Sequence, residues 1–173
     1  MRNYEDRAKD FIKQIFPYVK GCHNVLRALE QVDSFNQTYN RKVRVAHGIA
    51  RIALITSDYV VKFDYDKSEV EAVGGGENEI KMYAIAEREG FAYLFAKVSP
   101  YCYKGMKFYI MPLIRGIGRG HGYAHNWMTE EEYDFCEDHY LTDLHSNNYG
   151  FRNGHVCIVD YACIYEPQSL SDC

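Results

Sequence analysis

Apolar positions in the first part of the chain recur at helical spacing. Phe11, Ile12, Ile15, Phe16 and Val19 form one such series, and Val25, Leu26, Leu29 and Val32 form a second, so residues 4–32 are predicted helical. Pro17 and Gly21 separate two helices there or kink one. From Arg41 the period shortens. Val43 and Val45 alternate, then Ile52 and Leu54, then Tyr59, Val61 and Phe63, with His47-Gly48 and Thr56-Ser57-Asp58 as breaks. The spacing predicts consecutive antiparallel strands joined by turns. Gly74-Gly75-Gly76 marks a flexible connection, and residues 77–89, rich in Ala, Glu, Met and Lys, read as a helix stopped by Gly90. Two further strand-like runs cover 92–98 and 107–113, and a polar, glycine-rich loop covers 115–126. A helix over 129–140 opens with a capping box, Thr129 with Glu132 three residues on. After a loop at 141–149, Asn153-Gly154 between apolar runs predicts a β-hairpin over 149–161.

With 173 residues, 47% of them hydrophobic, the chain suffices for one domain or for two small lobes sharing a cleft. A net charge of −4 argues against non-specific nucleic-acid binding, which needs clustered Lys and Arg. No apolar run approaches the roughly 20 residues of a membrane span, and the charged start Met1-Arg2-Asn3-Tyr4-Glu5-Asp6 lacks the apolar core of a signal peptide. The expectation is a soluble cytoplasmic protein. The six cysteines are scattered without a C-x-x-C pair, which reads as reduced, packed thiols.

Asp143 followed after four residues by Asn148, between a helix and a hairpin, is the first candidate for chemistry. Asp160 is the second, at the end of the hairpin's last strand. Asp and Asn also serve as loop caps, so this spacing alone decides little. The upstream half adds weight. In Tyr59-Val60-Val61-Lys62 the alternation puts Val60 and Lys62 on one strand face, and the helix that follows carries Glu79, with Glu77 as the alternative partner for Lys62. The order of strand Lys, helix Glu, two strands, loop Asp-x4-Asn and strand-terminal Asp resembles that of protein kinases.

The resemblance spans about residues 43–163 and is to minimal protein-kinase-like proteins of bacteria and phages, including small effector kinases. It implies an α+β, bilobal fold: an N-terminal helical extension (1–40), an antiparallel β-sheet N-lobe with one helix (41–111) and a strongly reduced helical C-lobe (112–173). It implies ATP and Mg²⁺ as cofactors, with Asp143 as base, Asn148 and Asp160 as metal ligands, Lys62 on phosphate and Glu79 fixing Lys62. Hard oxygen donors suit Mg²⁺, and a carboxylate suits orientation of an attacking hydroxyl. Val60 would cover the adenine, and backbone groups near Met111 and Leu113 would meet its edge. Gly48 and Arg51 stand where the family has its phosphate-covering loop, although one Gly replaces G-x-G-x-x-G. The catalytic loop reads Leu141-Thr142-Asp143 instead of His-Arg-Asp, and Tyr161-Ala162 replaces Phe-Gly after Asp160. With thirteen residues after Asp160, no A-P-E segment and no peptide-binding helices are expected. The implied activity is phosphorylation of a protein hydroxyl. A non-catalytic nucleotide- or partner-binding module and a small-molecule kinase are the alternatives.

Other patterns are less specific. The glycines from Gly116 to Gly122 suggest a dinucleotide fingerprint, but no apolar helix follows them. His121 with His125, and Cys136 with His139, have zinc-pair spacing but fall on a loop and a helix respectively. His145 is read as a phosphate or substrate neighbour.

Overall fold

Two helices open the chain in the computed structural model, which describes residues 3–48, 50–65, 75–116 and 122–162. Helix α1 (Tyr4–Val19) starts at Asn3, whose side chain accepts from the Asp6 N–H, and buries Ala8, Phe11, Ile12, Ile15 and Val19 along one stripe. Pro17 lies inside its last turn. The break falls at Gly21, whose φ of +76° suits a residue without a Cβ. Helix α2 (Val25–Tyr39) is capped by Asn24 and continues to a left-handed Asn40. It therefore runs seven residues beyond the position where the apolar repeat fades at Val32. Asn36 holds the chain after it, donating to the Val43 carbonyl and accepting from the Val43 N–H.

The sheet has five antiparallel strands in the order β1-β2-β3-β5-β4. These are β1 (Arg44–His47), β2 (Arg51–Ile55), β3 (Tyr59–Asp64), β4 (Ser99–Tyr103) and β5 (Met106–Pro112). Ile52, Leu54, Val61, Phe63, Phe108 and Ile110 pack one face against α1 and α2 in a single core cluster. Tyr109 and Met111 turn to the other face, into a second core shared with the helix over Gly76–Glu89 and the C-terminal hairpin. Lys62 lies opposite Tyr109 in the ladder. The period-2 alternation thus sends greasy side chains one way and Lys62 the other.

Helix α3 (Gly76–Glu89) ends at Gly90, which has a φ of +89°. Gly75 is its N-cap, and Gly74 lies outside the described residues. Two strands follow α3 as expected, but the first does not occupy 92–98. Ala92–Leu94 is a 3-10 turn, and the strand begins only at Ser99. Leu94, Phe95 and Ala96 are apolar because they are buried among α3, the hairpin and the next helix. Pro100 is tolerated because β4 is an edge strand. Helix α4 (Glu130–Asp138) carries the full Thr129–Glu132 capping box. Strands β6 (Tyr149–Arg152) and β7 (His155–Ile158) form the hairpin, with Asn153 and Gly154 both at positive φ. Asp160 sits two residues beyond β7 instead of inside a strand.

Gly76 has a packing reason. A Cβ there would overlap the ring of Tyr109, which is buried and bonded through its hydroxyl to Glu77. Gly76→Ala is expected to destabilise the protein by about 1–3 kcal/mol through overpacking, opposed by at most about 1 kcal/mol of helix propensity. Urea unfolding reads this as a lower midpoint at unchanged slope.

Candidate functional site

The site forms where β2, β3 and α3 meet the segment after β7. Lys62 is buried at the middle of β3, and its Nζ donates to Glu79 Oε1 at 2.7 Å and to the Val159 carbonyl at 2.7 Å. Glu79 is fully buried on α3. Helix spacing turns Glu79 inward with Met82 and Ala86, whereas Glu77 faces Lys107 at 3.0 Å and the Tyr109 hydroxyl at 3.2 Å. A buried carboxylate needs a cation, and Glu79 has two at its Oε1: Lys62, and Arg51 Nη1 at 3.0 Å.

Arg51, the first residue of β2, also pairs through Nη2 with Asp160 Oδ1. Lys62 Nζ stands 3.9 Å from that same oxygen. Enclosure works to raise the Asp160 carboxyl, but Lys62 and Arg51 outweigh it and hold the group below the ordinary carboxylate range. Burial opposes the charge on Arg51. Glu79, Asp160 and Asp64 more than offset that, and its pKa rises. Asp64, paired with Arg51 in the β2–β3 register, is held above its usual value by burial, partly countered by Arg51. The sequence reading passed over Asp64. Its signal was present: two residues after Lys62 on a strand, it shares that residue's face.

Asn148 is brought to Asp160 by the backbone. Its carbonyl accepts from the Val159 N–H at 2.8 Å and the Asp160 N–H at 3.4 Å. Its side-chain Nδ2 donates to the Asp143 carbonyl at 2.8 Å, closing the loop and turning Oδ1 away from that bond. Asp143 itself is half-exposed, with Oδ1 3.3 Å from His145 Nε2. The Asn147 N–H donates to His145 Nδ1 at 3.2 Å, which assigns the ring proton to Nε2, facing Asp143. Tyr161 anchors the neighbouring segment. Its buried ring stacks edge-on to Phe95 and its hydroxyl donates to the Ala96 carbonyl at 2.6 Å. Asn78 of α3 reaches the Ala162 carbonyl at 3.2 Å.

The remaining candidates flank this cluster. Half-buried Val60 pairs with Met111 across β3 and β5, on the Lys62 face. The Leu113 N–H donates to the Asp58 carbonyl at 3.1 Å, so that donor is already engaged. The Gly48 N–H likewise donates to the Arg51 carbonyl at 2.9 Å within the β1–β2 turn. Residues 117–121 of the glycine-rich segment, His121 among them, lie outside the described residues. Cys136 is buried, its thiol pushed up to about 12 by burial, while His139 faces Glu89 at 3.1 Å. Among the described residues no three His, Cys, Asp or Glu side chains gather to hold a metal. Asn148 and Asp160 carry oxygen donors of the hard type that Mg²⁺ takes, on backbone joined by the Asp160 N–H to the Asn148 carbonyl.

No family model matches the sequence, and no curated protein matches it. A solved structure of similar shape is the streptomycin–ATP–APH(2")-IIa ternary complex, at 14% identity and a TM-score of 0.42, covering 77% of this chain and 70% of that one. Among the described residues no helix is long and apolar enough to cross a membrane.

Proposed function

We propose that this chain is an ATP- and magnesium-dependent phosphotransferase of protein-kinase-like architecture. The reading takes residues 41–111 as a nucleotide-covering lobe, 112–173 as a reduced lobe with the reacting groups, and 1–40 as a helical extension. One observation carries it: the Lys62 ammonium, fixed by Glu79 and the Val159 carbonyl, stands beside the Asp160 carboxylate at the junction of sheet and hairpin. A cation held this firmly serves as a point charge for phosphate oxygens at little cost in ordering.

In this reading Lys62 and Arg51 bind phosphate, and Asn148 Oδ1 and Asp160 would hold magnesium. The ion would neutralise charge on the phosphates. Asp143, oriented by the Asn148 and His145 contacts, accepts the proton of the attacking hydroxyl. Val60 covers the adenine. With the Leu113 N–H engaged, the carbonyls near Met111 and Leu113 meet the adenine edge, whose amino group is a donor. The acceptor is proposed to be a hydroxyl on a protein. Exposed Tyr123 and Trp127 support this, because Tyr123 bridges to His145 beside Asp143 and the pair offers an aromatic contact surface.

The Arg51–Asp160 ion pair favours a second reading, a nucleotide- or partner-binding module without transfer, because it engages the carboxylate that catalysis needs. Thermal unfolding with ATP and Mg²⁺ tests the binding step common to both readings of the nucleotide site. A ligand at about 100 times its Kd stabilises the folded state by about 2.7 kcal/mol. The wild type is expected to melt higher with nucleotide, and Lys62→Ala to lose most of that gain. Equal shifts in both proteins, or none in the wild type, would sink the site assignment. Radiolabel transfer from ATP to candidate proteins then separates a transferase from a binder.

A further inference from the structure

Arg51 is the group whose geometry exceeds what phosphate binding alone asks of it. It stands at the start of β2, 109 residues from Asp160, yet its guanidinium forks between Glu79 and Asp160 with little exposed surface. Lys62 is pinned in place by Glu79 and a backbone carbonyl, whereas Arg51 is tied through Nη2, one of its two terminal nitrogens, to the carboxylate that would hold a metal. The two cations face Glu79 and Asp160, with Asp64 a third carboxyl beside Arg51 in the β2–β3 register. A divalent ion added alone would set two positive charges against a nearly buried guanidinium that already holds the Asp160 carboxylate. The same ion added with a triphosphate would not.

We propose that Arg51 is the resident cation of Asp160, and that an incoming nucleotide phosphate draws its guanidinium away so that a divalent cation takes its place. The proposal deepens the phosphotransferase reading and rests on it. Each step exchanges like for like. Arg51 gives up a carboxylate for a phosphate, which matches its planar fork equally well. Asp160 gives up one cation for another, and Glu79 keeps Lys62 throughout. The consequence is coupled binding, in which the metal enters tightly only with nucleotide, so that Asp160 does not capture divalent ions in the free protein.

Mn²⁺ titration of the full chain without nucleotide, followed by electron paramagnetic resonance of the free ion, measures this directly. Arg51→Gln is expected to bind Mn²⁺ about tenfold more tightly than the wild type, because a like charge beside the ligand is removed. The Arg51→Gln, Asp160→Asn double variant is expected to return to the wild-type level. Calorimetry with a non-hydrolysable ATP analogue is expected to show the opposite sign, Arg51→Gln binding about tenfold more weakly. A purely structural arginine would weaken both. Unchanged or weaker Mn²⁺ binding in Arg51→Gln, or a gain that persists in the double variant, overturns the exchange alone. No nucleotide binding by the wild type overturns the phosphotransferase reading and the exchange with it. Should Arg51→Gln fail to fold, Arg51→Lys keeps the charge but cannot span both carboxylates. A partial gain in Mn²⁺ affinity then supports the proposal, and no gain overturns it.

Discussion

Replacing Asp143 by Asn is expected to lower phosphoryl transfer by about 10²–10⁴-fold while leaving nucleotide affinity within about twofold of the wild type. The asymmetry follows from where Asp143 sits. Its backbone carbonyl accepts from Asn148 Nδ2, a bond that the substitution retains, so the loop that presents Asn148 to Asp160 keeps its closure. Among the described residues its carboxylate pairs with His145 and takes no part in the Lys62–Glu79–Arg51–Asp160 cluster. An amide keeps the shape but accepts no proton at neutral pH. Single-turnover transfer, with binding of an ATP analogue measured in parallel, separates the two effects. A fall in transfer matched by an equal fall in affinity would move Asp143 from base to binding residue, and unaltered transfer would remove it from the chemistry. The acceptor needs no identification beforehand if slow hydrolysis of ATP serves as the readout, because water uses the same base.

Much of the framework behind this prediction was legible as pattern. The alternation through Val61 and Phe63 set Lys62 on the opposite face from the helical layer, and the helix after Gly75 turned Glu79 inward at the height of β3. Both are local periodicities, so one sequence carries them. What remained hidden is long-range or conflicts with local signal. The run 92–98 is apolar and short, and periodicity does not tell a buried turn from a buried strand. Its burial comes from α3, α4 and the hairpin at once, which no neighbouring residue announces. Arg51 looked like a loop-adjacent phosphate ligand because it follows Gly48. Its partner Asp160 lies 109 residues away, and the choice between a carboxylate and a phosphate is an energy balance that spacing does not encode. The Leu113 N–H was lost to Asp58 for a similar reason, since a strand-end donor is taken by whichever carbonyl the ladder brings opposite it.

Phe95→Ala is expected to be among the most damaging single substitutions in the core, at about 3–5 kcal/mol. Phe95 is fully buried and sits edge-on to both Phe135 of α4 and Tyr161, with centroid distances of 6.1 and 5.0 Å. It also forms a bridge with Ile158 at the end of β7, next to the Ala96 N–H, which donates to the Ile158 carbonyl at 2.8 Å. One residue therefore joins three parts, its ring reaching α4 and the segment that carries Asp160 and its backbone reaching the hairpin. Surroundings held from three sides collapse poorly into a cavity, which places the cost toward the upper part of that range. For a chain of this size each kcal/mol lowers Tm by about 2–4 °C, so the melting point should drop by roughly 6–20 °C. Tyr161→Phe provides the comparison. It keeps the ring and deletes only the bond to the Ala96 carbonyl, and is expected to cost about 1–3 kcal/mol. If Phe95→Ala proves no worse than Tyr161→Phe, the ring contacts are not what ties α4 to the Tyr161 segment. If it melts far lower yet retains the nucleotide-dependent shift, the Lys62 cluster is organised by α3 and the sheet, with the Phe95 core serving to keep Asp160 within reach.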